Sequence, residues 1–498
     1  MKSSRSTVFP VVFLLGAFTF VMLFQGSRGL WEPDEGRYTG IASQMIRSAD
    51  YLHPAFNDDL KHYAKPPFTY WAIASALNMT GFNEWSARLP NAIAFSFTVL
   101  LLFLLARTIT PARPWLPPLI YLSFLFPSLA ANVVTTDTLL TLWETLAVFG
   151  FVAYWKDRSR RRKFPVMLMW FGFGMAFITK GPPGLLPLLV ILAFVVFIEG
   201  RRAVTGLFSI AGIVIFIVFG FGWYIAIIIS QPDLVSYFFY DEFINRIATG
   251  VHHRNAQWYG AFVIYGPTLI LGTLPWTLPL LRAVKDCRQS IFSRSWWKLK
   301  REEDPFTVFL ILWLVIPLTI FFLARSRLPL YILPLFPALA LVVGKLLSSW
   351  QPGKSIKYAF VAWLIFLPGL KWVLSVIPYK YDSRPVAQAI AAKFNPPPAE
   401  INFVDIKPFW GLSFYLKAEV ERINLDRKQS AHKGEDSLEQ ELASEDVPML
   451  LIARKDQKEI ILTRLHDIGY ADLNSWQQGD WLYITPNSRL DWKLTVKD

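Results

Sequence analysis

The segment WEPDEGRY (31–38) places three carboxylates, Glu32, Asp34 and Glu35, within four positions directly after the first apolar run. A carboxylate at a membrane surface can take the proton of an acceptor hydroxyl during group transfer, so Asp34 and Glu35 are candidate catalytic residues. The alternative is that they only complement the dipole in the first turn of a helix that follows Pro33. The segment by itself leaves both interpretations open.

The segment YAKPPFTYW (63–71) adds a cation to the same stretch of chain. Lys65-Pro66 predicts the start of a helix that runs amphipathically through Trp71 and Leu77. At such a start an ammonium group and free backbone N–H groups can bind a phosphate together, which makes Lys65 a candidate phosphate ligand. The alternative is a lysine that only extends its charged end from the membrane surface into water.

Three further polar corners separate the apolar runs: Thr135-Thr136-Asp137, the turn Lys180 to Gly184, and the segment with Arg325, Arg327 and Tyr331. An ionisable residue at the edge of a membrane span is costly to bury and suggests a function. Asp137, Lys180 and Arg327 are therefore candidate site residues. The alternatives are a helix cap for Asp137 and an interface anchor in a tight turn for Lys180.

The stretch 238–258 contributes Arg246 and His253 as further candidates for phosphate binding, because a planar guanidinium group fits two phosphate oxygens. The acids Asp241 and Glu242 and the pair His252-His253 could instead ligate a metal ion. Their spacing matches no tight zinc pattern, so the sequence leaves metal binding unknown.

These candidates offer carboxylates to an acceptor and cations to a phosphate, next to apolar runs. A substrate with a phosphate headgroup and a long apolar tail fits that combination. The sequence contains no Walker A pattern and no dinucleotide-type GxGxxG that opens a strand–helix unit, so ATP and dinucleotides do not fit.

The elements that must position these residues are membrane helices. Hydrophobic residues make up 53% of the 498 residues and charged residues 17%, against about 25% charged in an average soluble domain. The net charge of +13 comes from short Lys/Arg clusters between apolar runs, a pattern of membrane topology rather than of a nucleic-acid-binding face. Eleven predicted spans lie near 8–25, 88–106, 114–131, 136–155, 165–180, 184–198, 205–229, 259–281, 306–324, 331–349 and 358–377.

The basic clusters predict the orientation, because Lys and Arg accumulate on the cytoplasmic side of a membrane. With the N-terminus inside, all strongly basic loops face the cytoplasm: 156–163, 201–202, 282–301 and 345–357. The opposite face then receives every candidate residue, together with a first outer loop (26–87) that carries two helices at the membrane surface. Because the number of spans is odd, the C-terminus also lies outside.

The composition becomes that of a soluble domain near residue 379. INFVDI, PMLLIAR and WLYIT predict strands, and QKEIILTRLHDIGY predicts an amphipathic helix. The sequence therefore predicts a transmembrane domain over residues 1–378 and a small outward-facing α/β domain over residues 379–498.

A series of motifs along the membrane part resembles the polyprenyl-phosphate-sugar glycosyltransferases of the GT-C type, which include bacterial aminoarabinose transferases and protein O-mannosyltransferases. The motifs are WEPDEGRYTGIASQM, YAKPPFTYW, ARLPNA, TTDTLL, TKGPPG and SRLPLYILPLFPALAL, in the family's order. FWGLSFYLKAEVE (409–421) looks like a segment of the family's outer domain. The resemblance implies a polytopic α-helical membrane protein with about 11–13 transmembrane helices and an outer soluble α/β domain. The aminoarabinose transferases are longer chains with thirteen spans.

Residue by residue, the resemblance implies a catalytic role for Asp34 and a lipid-phosphate contact for Lys65. Asp137 matches the family's second outer acid, while Lys180 and Arg327 lie in its two remaining signature turns. Arg246 and His253 fall where the family has further basic residues in an outer loop.

The resemblance implies that the chain transfers a sugar from a polyprenyl (undecaprenyl) phosphate, with inversion, at the outer face of a bacterial inner membrane. The implied acceptor is lipid A, a surface glycan or a protein, and membrane lipids surround the enzyme. No cofactor is required, although a divalent metal stays possible. The alternatives are a protein O-mannosyltransferase-like enzyme and a flippase or transporter for lipid-linked sugars. A transporter should carry polar residues deep in several spans, whereas the candidates here collect at one face.

Overall fold

The computed structural model describes residues 4–157, 163–238, 255–288, 292–425, 437–444, 449–470 and 473–486. The protein is mostly helical, with one sheet near the C-terminus. It divides into two compact units. The first comprises Met1–Gln25, Ala64–Thr69 and Arg88–Ser375, and the second comprises Gly26–Tyr63, Tyr70–Ala87 and Val376–Asp498. The predicted domain boundary at residue 378 stays a prediction.

The helices, in chain order, are α1 (Ser4–Met22), α2 (Asp34–Ser48), α3 (Phe68–Thr80), α4 (Glu84–Ile109), α5 (Leu116–Ser123), α6 (Leu125–Ala130), α7 (Thr136–Lys156), α8 (Lys163–Lys180), α9 (Leu186–Glu199), α10 (Ile210–Ser230), α11 (Gly260–Gly272), α12 (Thr277–Cys287), α13 (Arg294–Glu303), α14 (Pro305–Leu323), α15 (Phe336–Leu346), α16 (Lys354–Val376), α17 (Ser383–Lys393), α18 (Gly411–Leu416), α19 (Leu438–Ser444) and α20 (Lys458–Asp467). Helix α10 contains one π-helical turn, at Ile217–Phe221. Short 3₁₀ helices lie at Pro182–Leu185, Arg201–Leu207 and Pro329–Leu335.

Within the described residues, seven helices are long and apolar enough to cross a membrane: Glu84–Ile109, Thr136–Lys156, Pro182–Glu199, Ile210–Ser230, Pro305–Leu323, Pro329–Leu346 and Lys354–Val376. The pair α11 and α12 would add an eighth, although its two halves are bent by 115°. The chain is therefore a multi-pass membrane protein. By length and composition, seven or eight helices of the described residues meet these criteria, and Phe9–Met22 is a further, shorter apolar helix. The eleven spans that the hydropathy of the sequence predicts stay a prediction.

The predicted span at 114–131 shows how an apolar run can fail these length criteria. It is broken into α5 and α6 at Phe124, whose backbone is extended (φ −63°, ψ 132°). Pro127 has no N–H to donate to the carbonyl of Ser123, and its ring would clash with that turn. The freed Ser123 carbonyl instead accepts a hydrogen bond of 2.8 Å from the Trp363 indole. Hydropathy alone does not report such a break.

The second unit contains a five-stranded sheet in the order β2-β1-β3-β5-β4. Its strands are β1 (Glu400–Val404), β2 (Glu419–Ile423), β3 (Met449–Arg454), β4 (Leu473–Gln478) and β5 (Trp481–Pro486). The strands β2, β1 and β3 are parallel, and β5 and β4 are antiparallel. The three predicted strands and the predicted helix, α20, are confirmed, and β2 and β4 are additional.

The sheet is covered by helices on both faces, as parallel strands require. Alternate strand residues such as Ile401 and Leu450 pack with α17 and α18 on one face. Their neighbours, such as Leu451, pack with α19 and α20 on the other. The period of two along each strand thus places apolar side chains in two separate cores.

Two parts of the segment 26–87, Gly26–Tyr63 and Tyr70–Ala87, belong to the same unit as this sheet. Arg384 in α17 donates to the Glu84 carboxylate at 2.8 Å and to the backbone carbonyls of Gly26 and Arg28 at 2.9 and 3.1 Å. Helix α2 has ten buried residues out of 15. Its Gly40 approaches α18 so closely that a Cβ there would lie 2.8 Å from the Trp410 carbonyl oxygen. Helix α2 is therefore held by protein on most of its surface.

Candidate functional site

Helix α2 begins at Asp34, directly after Pro33, so the predicted helix start is confirmed. The Asp34 side chain is 45% exposed, and its Oδ1 accepts a hydrogen bond of 2.7 Å from Arg37 Nη2. Asp34 is therefore an accessible carboxylate at the positive end of a helix, next to a guanidinium group.

Glu35, one residue further, is in a different environment. Its side chain is 1% exposed, and both of its carboxylate oxygens accept hydrogen bonds from the Arg28 guanidinium. The backbone N–H of Trp31 donates to the same carboxylate at 3.0 Å, and the Arg28 guanidinium lies 3.9 Å from the centre of the Trp31 ring. Glu35 thus fixes the loop before α2, a role that the helix-dipole interpretation did not include.

Glu32 is the acid in this segment that the sequence did not single out. Its Oε1 accepts hydrogen bonds of 2.7 Å from the Ser383 hydroxyl and from the backbone N–H of Gly411. Its Oε2 is buried and has no hydrogen-bond partner among the described residues. Burial raises the pKa of Glu32 to about 8, and Glu35 adds to the effect, while the two hydrogen bonds act against it. A Cβ on Gly36 would overlap the Glu32 carboxylate, so a larger residue there would displace the Glu32 side chain.

The Glu32 carboxyl group is therefore mostly protonated at neutral pH in the folded protein. Three acids within four residues were the available signal in the sequence, because a carboxyl group that is buried close to another carboxylate resists ionisation. The tertiary structure decides which one keeps its proton.

We expect Glu32 to make the stability of the second unit depend on pH. Its folded pKa of about 8 exceeds its ordinary value of 4.5, so its stabilising contribution is complete below pH 4.5 and is lost as the pH rises through 8. The decline should reach up to about 4 kcal/mol, and Glu32→Gln, which mimics the protonated form, should abolish it. Thermal unfolding of purified wild type and Glu32→Gln between pH 5 and 9 measures the difference. Parallel curves would mean that Glu32 titrates like an exposed carboxylate.

In the first unit, Asp137 and Lys180 form a buried ion pair. Asp137 lies in the first turn of α7, Lys180 is the last residue of α8, and their side chains are 7% and 9% exposed. The Lys180 ammonium nitrogen also lies 4.6 Å from the centre of the Tyr331 ring. Three corners that the sequence singled out thus meet in one place.

Other polar groups on α7 extend this region. The hydroxyls of Thr135 and Thr138 are buried without a hydrogen-bond partner among the described residues, and Thr135 does not cap the helix through its side chain. Glu144, two turns after Asp137, is 4% exposed. Its position as an acid inside an apolar run was the sequence signal for Glu144, which lies between the corners and not at one of them.

The Arg327 side chain is buried and donates hydrogen bonds to three backbone carbonyl groups. Its Nη1 donates to the carbonyls of Asn255 and Gln257, both at 2.8 Å, and its Nη2 donates to the Phe322 carbonyl at 3.1 Å. The Asn255 side chain donates back to the Arg327 carbonyl at 3.0 Å. This geometry favours a role in positioning the segment after residue 255.

Lys65 is half-buried and belongs to the first unit. The prediction that Lys65-Pro66 opens a helix is wrong, because α3 begins at Phe68, three residues after Lys65. A proline disfavours the helical conformation of the residue before it, so Pro67 keeps Pro66 out of the helix.

Arg246 and His253 lie outside the described residues, as do Asp241, Glu242 and His252. Among the described residues, one group of acids lies close enough to share a metal ion: Glu400, Glu421 and Glu441, whose carboxylate oxygens lie within 4.8 Å of one another. The amide nitrogen of Asn402 donates to Glu441 at 2.9 Å. None of the candidate catalytic residues belongs to this group.

The chain is similar in sequence and in fold to known transferases. Residues 64–224 match the family model described as dolichyl-phosphate-mannose-protein mannosyltransferase. The chain is 32% identical over 383 residues to the undecaprenyl phosphate-alpha-4-amino-4-deoxy-L-arabinose arabinosyl transferase 1 of Pseudomonas fluorescens, covering 75% of this chain and 66% of that protein. It is 32% identical over 367 residues to the corresponding transferase of Aeromonas hydrophila, covering 72% of this chain and 63% of that protein.

These matches span less than two thirds of the length of either relative. The fold itself matches over nearly the full length of a solved structure. The crystal structure of ArnT from Cupriavidus metallidurans bound to undecaprenyl phosphate superposes with a TM-score of 0.79 and 20% identity, covering 98% of this chain and 99% of that one. The two chains therefore share one fold, and the match includes the C-terminal sheet.

Proposed function

We propose that the chain is a membrane-embedded glycosyltransferase of the GT-C type, which transfers a sugar from undecaprenyl phosphate to an acceptor in the bacterial envelope. The observation that carries the proposal is the 32% identity, over 75% of the chain, to a transferase named for such a donor. That transferase is named for 4-amino-4-deoxy-L-arabinose, and lipid A is our first candidate for the acceptor. The donor carries no nucleotide, in agreement with the absence of nucleotide motifs in the sequence.

In the proposed reaction an acceptor oxygen attacks the anomeric carbon, and the bond between that carbon and the phosphate oxygen breaks. The sugar moves with inversion, and undecaprenyl phosphate leaves as a phosphate monoester. A hydroxyl acceptor loses its proton to a base, for which we propose Asp34, the accessible carboxylate of its segment. A phosphate acceptor is already anionic, and Asp34 would then only orient it.

The leaving phosphate gains negative charge, which positive groups must stabilise. We propose that Lys65 binds this phosphate and that Lys180, held by Asp137, adds positive charge. Arg246 and His253 are proposed to contribute in the same way. For Arg327, three hydrogen bonds to backbone carbonyls support a positioning role instead. No step of this scheme needs a cofactor or a metal ion.

Binding of undecaprenyl phosphate without sugar or acceptor tests the assignment of Lys65. Lys65→Ala removes a charge-assisted contact worth about 1.5–3 kcal/mol, so the affinity should fall roughly 10- to 150-fold. Lys65→Arg should recover part of it, because the charge stays while the geometry changes. The matched control is Lys61→Ala, which removes an exposed lysine four residues away whose ammonium binds the Asp58 carbonyl. Equal affinities of wild type and Lys65→Ala would contradict the assignment.

A second function is supported by one observation, the match of residues 64–224 to a protein mannosyltransferase family. A protein O-mannosyltransferase-like enzyme would use a peptide hydroxyl as its acceptor. Mass spectrometry of lipid A, surface polysaccharide and envelope proteins from a deletion strain separates the two. Loss of a sugar from envelope proteins, with unchanged lipid A, would favour this second function.

We also propose that the protein lies in the bacterial inner membrane with its candidate residues and C-terminal domain on the periplasmic side. The support is the distribution of Lys and Arg, since the clusters at 156–163 and 282–301 are the most basic segments between apolar runs. A reporter fused after Asp498 that is active only in the cytoplasm would contradict this orientation.

A further inference from the structure

An open cavity of about 610 Å³ in the first unit is lined by none of the candidate catalytic or phosphate-binding residues. Its apolar wall is formed by Ala193 and Phe197 of α9 and by Val308 and Leu312 of α14. The rest of its lining comes from the basic helix α13, RSWWKLKREE. The cavity thus combines an apolar wall with a charged helix.

Four side chains of α13 line this cavity, and three of them are cationic. Arg294, Lys298 and Arg301 follow one another at intervals of four and three residues, so they lie on one face of the helix. Trp297 lines the cavity with them and contacts Phe197, with ring centroids 5.8 Å apart. The described residues that line the cavity include three cations and no carboxylate.

The position of α13 is fixed at two points. Arg301 donates from Nη2 to the carbonyl of Ile198, near the end of α9, at 2.8 Å. Asp304, directly after α13, accepts a hydrogen bond of 2.6 Å from Lys345 of α15. The three cations are therefore presented by a helix that is tied to the membrane bundle.

The cavity lies at the opposite end of the bundle from the Asp137–Lys180 pair. Helix α9 starts at Leu186, shortly after Lys180, and ends at Glu199, next to Arg301. Its 14 residues span about 21 Å at 1.5 Å per residue. The cations of α13 are thus too far away to serve the donor phosphate proposed above.

We propose that this cavity binds an anionic phospholipid, with its phosphate among Arg294, Lys298 and Arg301 and one acyl chain along α9 and α14. The argument is charge complementarity, since three cations without a lining carboxylate match a headgroup with net negative charge. The apolar wall supplies a surface for the acyl chain, and a basic helix with adjacent tryptophans is typical of the membrane interface. The site is independent of the sugar-transfer reaction.

The test is lipid binding to the full-length protein, delipidated in an uncharged detergent and followed by native mass spectrometry. Phosphatidylglycerol and phosphatidylcholine with identical acyl chains are titrated separately. We expect phosphatidylglycerol to bind wild type roughly 10-fold or more tightly than phosphatidylcholine does. The variant Arg294→Gln/Lys298→Gln should lose most of this preference, while Arg301 stays in place to hold α9.

The matched control removes two cations from the same end of the bundle but outside the cavity, in Arg201→Gln/Arg202→Gln. Both are exposed and directly follow α9. The control variant should keep its preference for phosphatidylglycerol over phosphatidylcholine within about twofold of wild type. It changes only the long-range electrostatic attraction between the protein and the anionic lipid. An equal loss in both variants, or no preference in wild type, would overturn the proposal.

A third arm separates a lipid from a free phosphate. Ala193→Phe and Leu312→Trp fill the apolar wall without changing the charge, so they should weaken phosphatidylglycerol binding several-fold. Inorganic phosphate at millimolar concentration should fail to displace the bound lipid. Efficient displacement by phosphate, together with unchanged binding to the filled variants, would show an anion site without a lipid tail and refute the lipid assignment.

Discussion

Asp34→Asn is expected to lower sugar transfer by roughly 10²-fold or more if the acceptor is a hydroxyl, because the amide keeps the shape of the side chain but cannot accept a proton. Asp34 is suited to this role, since it is 45% exposed at the start of α2 whereas Glu35 is buried against Arg28. The measurement is the initial rate of transfer from an undecaprenyl-phosphate sugar by purified wild type and variant, at saturating donor. A loss confined to the rate, with unchanged donor binding, assigns Asp34 to the acceptor.

The control for this variant is Asp59→Asn, which removes an exposed carboxylate from the same segment, residues 26–87. It should leave the rate unchanged. Asp34→Glu should retain part of the activity, because it keeps the charge and moves it by one methylene group. A well-folded Asp34→Asn protein with normal turnover would leave Asp34 only as a partner of the helix dipole and of Arg37.

Arg28→Met is expected to destabilise the second unit by about 3–5 kcal/mol, since it leaves the Glu35 carboxylate buried without its cation. The side chains of Arg28 and Glu35 are 9% and 1% exposed, and the guanidinium binds both carboxylate oxygens. The segment that carries Asp34 should therefore loosen first. Amide hydrogen exchange in the peptide 30–48 measures the local effect, and the unfolding temperature measures the global one.

Two variants test whether charge burial is the cause. Arg28→Met/Glu35→Gln removes both charges and should recover much of the lost stability, because no uncompensated ion stays buried. Arg464→Met breaks an ion pair of the same unit with Glu439, whose side chains are 40% and 46% exposed, and should cost less than about 1 kcal/mol. If Arg28→Met cost no more than Arg464→Met, the pair with Glu35 would not be what holds the segment.

Local patterns of apolar residues and prolines in the sequence predict many of the helices and strands. The short apolar runs in INFVDI and PMLLIAR predict the buried strands β1 and β3. The apolar periodicity of QKEIILTRLHDIGY predicts α20, because a helix that lines a core keeps a period of 3.6 residues. Pro33 predicts the start of α2 at Asp34. Hydropathy locates the membrane helices but not their breaks, as the separation of α5 from α6 at Phe124 shows.

The sequence by itself determined that the chain crosses a membrane several times, that an α/β segment follows, and which corners carry ionisable residues. Only the tertiary structure decided what each of these residues does. Glu32, Asp34 and Glu35 are neighbours in sequence, yet their environments differ. Glu32 is buried and accepts hydrogen bonds from Ser383 and Gly411. The Asp34 side chain is 45% exposed, and Glu35 forms a buried ion pair with Arg28. Residues from distant parts of the chain set the solvation and the charge around each carboxylate, and these determine its protonation and its accessibility. Spacing along the chain does not contain that information.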